Sequence, residues 1–347
     1  MNEIGKNLKK IRLLKNLSLK EAGKLLNMSS TAISKYEKGD IVPNSSKLIE
    51  FANAYKVKTI DLIKVYKTPK MKFTSFRKKK RLAGGNLELL KQLILEEVSK
   101  YLEVLDLSNV NSNTFKLKKY SCNDFNDAEK AAEKFRNFIE ISNKQPISDL
   151  INILENLGII IIQVKNYDNR FSDFDGLSEI VEGVPVIVLL DGITDGARQR
   201  FTIAHELGHL ILDIKNEKID SEKFANRFAS ALLMPKEAII NEFGSLRKKI
   251  SFYELNAFKN EYKVSYAAIV YRLKDLNIIN EYLYKKLNIF ISKNIGKNDP
   301  NPIIPEISYG FKRIVHKLKA NGIITLNKAC ELLGVSADEY NREDYSY

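Results

Sequence analysis

The 347-residue chain has no tryptophan, only three histidines and only two cysteines. Two thiols, Cys122 and Cys330, are too few for a disulfide framework. No apolar run approaches the roughly 20 residues that a membrane-crossing helix needs, and the opening stretch MNEIGKNLKK lacks a secretory apolar core. These absences predict a cytoplasmic protein with no membrane partner. At 44% hydrophobic residues there is ample material for packed cores, and the length suits two or three domains.

Acidic residues are scarce at one end. Residues 1–81 hold 21 Lys and Arg against 6 Asp and Glu, whereas the remainder holds 35 against 37. The net charge of +13 therefore originates in the first quarter and points to a polyanion partner for it. A merely solvated basic face is the competing reading.

That quarter contains several short helical patterns. Ile4, Leu8 and Ile11 trace one face. Ser18, with Glu21 three residues on, predicts a capping box opening a helix that runs to about Leu26. After a turn at NMS, Ser30 to Lys38 forms a helix stopped by Gly39, and Ser46 to Tyr55 forms another. Two short helices joined by a tight turn inside a basic bundle are the parts of a helix-turn-helix. Through LKEAGKLLNMSSTAISKYEKG, residues 4–58 resemble the XRE (Cro/cI-like) repressor domains. The resemblance implies a double-stranded DNA operator, with Ser30, Thr31 and Lys35 facing base edges and Ser29 and Lys38 on phosphates. One position departs from the family: Leu19 stands where a glutamine often opens the second helix.

Downstream, Pro69, the basic cluster Arg77–Arg81 and Gly84-Gly85 read as an exposed connector. Residues 87–106 have amphipathic helical spacing, suited to core or subunit contact. Further helices are expected over about Asp127–Ser142 and after Ser148, which would cap a helix ending at Gly158. IIIIQV is a short β-branched run, and GLSEIVEGVPVIVLL reads as two strands around Glu182-Gly183. Pro185 marks Val184–Leu190 as an edge strand, to which an extended peptide could add.

The helix that follows, FTIAHELGHLILD, carries two of the three histidines. Four residues apart on a helix, His205 and His209 lie about 40° apart around the axis and about 6 Å apart along it, so both imidazoles can reach one Zn2+. Glu206 is placed to take a proton from a water that the metal acidifies. Two histidines satisfied by core hydrogen bonds are the bland alternative, but apolar flanks make unpaired imidazoles costly there. Gly208 signals a close backbone approach. A third ligand is needed, and Asp213, Glu217, Asp220 and Glu222 are candidates. Asp213, read as one helical turn beyond His209, could instead support a histidine from behind. Glu222 opens a second helix, SEKFANRFASALLMP, that could pack across the first.

RFTIAHELGHLILD followed by EKFANRFASALLMP resembles the ImmA/IrrE family of gluzincin-like metallopeptidases over about residues 125–280. The resemblance implies His205, His209 and Glu222 as zinc ligands, Glu206 as general base and Asn226 as a neighbouring support. No oxyanion partner stands out among Tyr262, Tyr266, Tyr271, Arg198 and His316. YKVSYAAIVYRLKDLNIIN looks like a second helix-turn-helix core, but its charge favours packing.

The expected fold is mainly α with a small β-sheet (α+β): a helical DNA-binding bundle, a zincin-like metallopeptidase domain and a helical C-terminal region. The expected boundaries are 1–66 for the helix-turn-helix domain, 67–86 for a basic linker, 87–124 for a helical connector, 125–285 for the peptidase and 286–347 for the helical C-terminal region. The expected function is a regulator, alone or as a homodimer, whose zinc endopeptidase cleaves a repressor, another regulatory protein or itself in a mobile-element or stress-response switch. The alternative is a non-catalytic transcription factor using the peptidase fold as sensor or dimerisation scaffold.

Overall fold

A computed structural model describes residues 2–65, 69–73, 84–108, 117–215, 220–295, 299 and 301–344. The basic cluster Arg77–Arg81 and Glu217 lie outside these residues. The chain divides into two compact units, one of residues 1–103 with 166–174 and one of residues 104–165 with 175–347.

The first unit begins with five helices: α1 (Glu3–Leu14), α2 (Leu19–Leu25), α3 (Ser30–Lys38), α4 (Ser45–Tyr55) and α5 (Thr59–Ile63). Their core is Leu8, Ile11, Ala22, Leu26, Ile33, Phe51, Ala52, Tyr55 and Leu62. Inside it, the buried Arg12 guanidinium binds both oxygens of Glu37, at 2.5 and 2.9 Å. Asn7 donates to the Leu62 and Lys64 carbonyls and so ties α1 to the end of α5. The predicted capping box is present, with Ser18 Oγ accepting from Glu21 N and Glu21 Oε2 accepting from Ser18 N. Gly39 ends α3 at φ 81°, a left-handed conformation that glycine adopts without strain. Gly84 and Gly85, expected in the connector, open α6 (Gly84–Leu107).

The second unit holds two small sheets among helices. Strand β1 (Tyr120–Cys122) is followed by α7 (Phe125–Phe138), α8 (Leu150–Asn156), β2 (Ile160–Val164), β3 (Gly176–Val181), β4 (Val184–Leu190), α9 (Gly196–Ile211), β5 (Leu212–Ile214) and α10 (Ser221–Leu233). Asp149, not Ser148, caps α8, accepting from Asn152 N. The predicted hairpin turns at Glu182 and Gly183, with φ 50° and 87°, the left-handed pair that a two-residue hairpin requires.

The three-stranded sheet has the order β2-β4-β3, parallel then antiparallel. Val184–Leu190 is thus the central strand, which overturns the edge reading. Proline is tolerated because pairing with β2 starts only at Val186, one residue after Pro185. Every residue of β4 is buried, as fits a strand covered on both sides. A second pairing, β1 with β5, joins Tyr120–Cys122 to Leu212–Ile214 in parallel. The remaining helices are α11 (Lys236–Phe243), α12 (Phe252–Tyr262), α13 (Tyr266–Asp275), α14 (Glu281–Asn294), α15 (Gly310–Ala320), α16 (Leu326–Leu333) and α17 (Ala337–Asp344). Helix α13 buries Ile269, Val270 and Leu273 in the main core. A separate cluster of Val315, Leu318, Ala329, Leu332 and Tyr340 holds α15, α16 and α17 together. Among the described residues no helix is long and apolar enough to cross a membrane.

Candidate metal centre and helix-turn-helix face

Helix α9 is fixed at its start by polar groups and along its length by apolar ones. Asp195 Oδ1 accepts from Ala197 N and Arg198 N, satisfying two free donors of the first turn. The buried Arg200 pairs with Glu306 and donates to the Ile147 carbonyl. Ile203, Ala204, Leu207, Leu210 and Ile211 face the core. Helix α10 crosses at Gly208, where a Cβ would lie 3.2 Å from Ala225 Cα and from a Phe228 ring carbon. A side chain there would hold the helices apart. The close crossing brings the first turn of α10, and Glu222 with it, to the two histidines.

The three side chains converge. His205 Nε2 and His209 Nε2 are 3.0 Å apart, and the Glu222 oxygens lie 3.2 Å from the first and 3.3 Å from the second. A tetrahedral centre with bonds of about 2.1 Å spaces its donors by roughly 3.4 Å. Two imidazole nitrogens and a carboxylate that sets one oxygen against each of them, at nearly this spacing, fit a metal of the zinc type. They are the one such cluster of His, Cys, Asp and Glu among the described residues. Asn226 Oδ1 lies 2.8 Å from His205 Nδ1. An amide oxygen there accepts from Nδ1–H and turns the Nε2 lone pair towards the cluster.

The electrostatics agree with the geometry. Hydrogen bonds from His205 and then His209 hold the Glu222 carboxyl well below the usual carboxylate range, against the opposing effect of burial. For His205, burial disfavours the imidazolium, yet the Glu222 hydrogen bond and the nearby Glu206 and Glu222 charges raise it above its ordinary value. Glu206 is 4% exposed. Ser178 Oγ, on β3, donates to Glu206 Oε2 at 2.8 Å.

Other expected residues are placed elsewhere. Helix α9 stops at Ile211, so Asp213 belongs to β5, where pairing with β1 captures the backbone, and its carboxylate meets Lys215 Nζ at 2.7 Å. Asp220 caps α10 by accepting from Glu222 N. The Tyr262 hydroxyl donates to the Lys144 carbonyl, Tyr266 to Asn256 Oδ1, and Arg198 pairs with Asp175. His316 stacks on Tyr340 in the C-terminal cluster, and Tyr271 sits 6.5 Å from the Tyr284 ring. Sequence reasoning passed over Gly176 and Ser178. Their only signal was two small residues, two apart, on a strand preceding the histidine helix.

In the first unit, α2 and α3 meet through Asn27 at φ 51°, Met28 and Ser29. Ser29 Oγ accepts from Ala32 N and caps α3. Ser29, Ser30, Thr31, Lys35 and Lys38 are all exposed, while Ile33 and Glu37 on the opposite face are buried. Leu19 is half-buried and packs on the bundle core, so the apolar residue at the head of α2 contributes to packing.

Residues 154–274 match the IrrE N-terminal-like domain family, and residues 8–62 match a helix-turn-helix family. No curated protein sequence matches the chain. Among solved structures, Bacillus thuringiensis PlcR in complex with the peptide PapR7 and DNA aligns at 14% identity over 100% of both chains, with a TM-score of 0.19. Streptococcus dysgalactiae SHP pheromone receptor Rgg2 aligns at 13% identity over 98% of this chain and 99% of that one, with a TM-score of 0.15. TM-scores of this size specify no common fold. The chain thus joins a helix-turn-helix DNA-binding domain to an IrrE-like metallopeptidase domain that carries a His-Glu-x-x-His motif and a distant glutamate.

Proposed function

We propose that this fusion acts in the cytoplasm as an operator-bound regulator whose peptidase is a zinc endopeptidase. Residues 1–66 serve DNA binding and residues 125–285 the peptidase. His205, His209 and Glu222 hold zinc, Asn226 orients His205, and Glu206 is the general base. The observation that carries this reading is the convergence of two imidazole nitrogens 3.0 Å apart with the Glu222 carboxylate, whose oxygens lie 3.2 and 3.3 Å from them, on two crossing helices, next in sequence to a buried carboxylate.

Bound zinc would polarise the scissile carbonyl and acidify a water. Glu206 takes up a proton on its carboxylate and returns it to the departing amine, the work of a general base that then acts as acid. A scaffold without turnover has no use for a buried carboxylate in that place. At the other end, Ser30, Thr31 and Lys35 read base edges while Ser29 and Lys38 contact phosphates. A homodimer would match a two-fold operator. The substrate is a regulatory protein, a repressor or the chain itself, so that cleavage changes transcription.

The test is metal analysis together with incubation of wild type and Glu206→Gln with candidate repressors. The variant retains one zinc and loses about a hundredfold or more of the cleavage rate. Cleavage at the wild-type rate in the variant would remove Glu206 from the chemistry.

A further inference from the structure

Strand β3 faces α9 with its small residues. Side chains alternate along a strand, so Gly176 and Ser178 share one face. Their register is fixed by backbone pairing with β4, Gly176 opposite Leu189 and Ser178 opposite Ile187. At Gly176 the strand comes so near that a Cβ would lie 2.8 Å from Thr202 Cγ2 and 3.2 Å from both Cγ and Oε1 of Glu206. Two residues on, the Ser178 hydroxyl spans the remaining gap and donates to Glu206 Oε2 at 2.8 Å. The carboxylate is thus held by a hydrogen bond from a paired strand that also passes close to it at Gly176, which gives it less freedom than a loop would.

We infer that Ser178 is a positioning residue for Glu206, fixing the carboxylate's orientation towards the metal donors, with Gly176 supplying the clearance. A glutamate carries three rotatable side-chain bonds, and a base must be placed within a few tenths of an ångström to accept a proton along a productive line. Sequence alternation supports the assignment: a slip of β3 by one residue would present Leu177 or Glu179 to Glu206 in place of a hydroxyl. The inference rests on the proposed role of Glu206, so its test separates the two.

The probe is a peptide hydroxamate binding to the zinc-loaded full chain, followed by calorimetry. Its N–H and hydroxyl are met by a correctly placed carboxylate beside the metal, and no turnover is needed. Ser178→Ala is expected to weaken hydroxamate binding about tenfold, the effect of losing one hydrogen bond to a charged group, with zinc content unchanged. Ser178→Thr, which keeps the hydroxyl, restores it. In a Glu206→Gln background, Ser178→Ala adds no further loss. Wild-type hydroxamate affinity in Ser178→Ala, alongside weakened binding in Glu206→Gln, overturns the role of Ser178 and leaves the base intact. Lower thermal stability in Ser178→Ala without rescue by threonine makes the contact structural and also overturns it. Unchanged hydroxamate binding and cleavage in Glu206→Gln bring down the base assignment, and the inference with it.

Discussion

The crossing of α9 and α10 and the turn from α2 to α3 both depend on a glycine inside a helix. At Gly208 a Cβ would lie 3.2 Å from Ala225 Cα, and at Gly23 it would lie 2.5 Å from the Met28 carbonyl oxygen. Each glycine costs helix stability and is repaid by close approach. Beyond this the regions part ways. Around α9 the polar groups turn inward, until two imidazole nitrogens 3.0 Å apart meet one carboxylate at 3.2 and 3.3 Å. Around α3 they turn outward, and the charged pair drawn inside, Arg12 with Glu37, satisfies itself. One region nearly completes its site from its own chain, and the other presents a face that a duplex must complete.

If the regions are energetically separate, damage to one leaves the other intact. The sharpest test is Glu37→Ala. It strands the Arg12 guanidinium in a core where both partners are under 8% exposed, and removing one member of such a pair costs about 3–5 kcal/mol. Calorimetry should show a helix-turn-helix transition at much lower temperature and DNA binding should be lost, while zinc stoichiometry stays at one. Loss of zinc in this variant would break the comparison.

Within the metal region the weak point is the support behind His205. Asn226→Ala removes the acceptor at Nδ1, and loss of such a partner lowers metal affinity about tenfold to a hundredfold. DNA binding should not change. Proton competition acts on the same group. Zinc binds the deprotonated imidazole, so lowering the pH sets protons against it at His205 and releases the metal, at a pH below the raised value of the metal-free imidazole. The metal-free protein has the opposite sign: a raised folded value stabilises at low pH and is lost as pH rises through it. Glu222, held low, stabilises above the usual carboxylate range and ceases to do so as pH falls. Thermal melts of metal-free protein should therefore peak between these limits, and those of the zinc form should rise with pH until the ligands are deprotonated and then level off.

The sequence exposed these regions unequally. HELGH was legible because helical geometry alone sets the histidine spacing, and Glu222 opened a second amphipathic pattern. The capping box at Ser18 and Glu21 and the stop at Gly39 were legible because they are satisfied within three or four residues. Strands β1 and β5 were not: three residues carry no alternation, and the partner of Tyr120 is Leu212, far along the chain. The central place of β4 was hidden because Pro185 removes one N–H alone: it still pairs with Ile180 on one side, and the ladder with β2 begins one residue later. A more instructive ambiguity is the turn itself. A left-handed residue, an apolar residue and a capping serine recur as Asn27-Met28-Ser29, Lys263-Val264-Ser265 and Gly334-Val335-Ser336. The local code is the same in all three. Burial decides its use, since α13 is packed into the core while α3 keeps a polar face exposed.

The smallest effect isolates that exposed face. Ser29 Oγ accepts from Ala32 N at 3.1 Å, which commits one lone pair to capping and leaves its proton for a phosphate oxygen. The two roles separate chemically. Ser29→Ala removes both and should cost about 1 kcal/mol of domain stability as well as operator affinity. Ser29→Asp keeps a capping acceptor at a helix start that favours negative charge, so stability should match wild type. The carboxylate has no proton to donate and repels the phosphate, so operator affinity should still fall, more steeply at low salt, where screening is weak. Equal operator binding by Ser29→Asp and wild type at low salt would mean that the start of α3 does not approach the duplex backbone. The outward-facing half of the comparison would then need another surface.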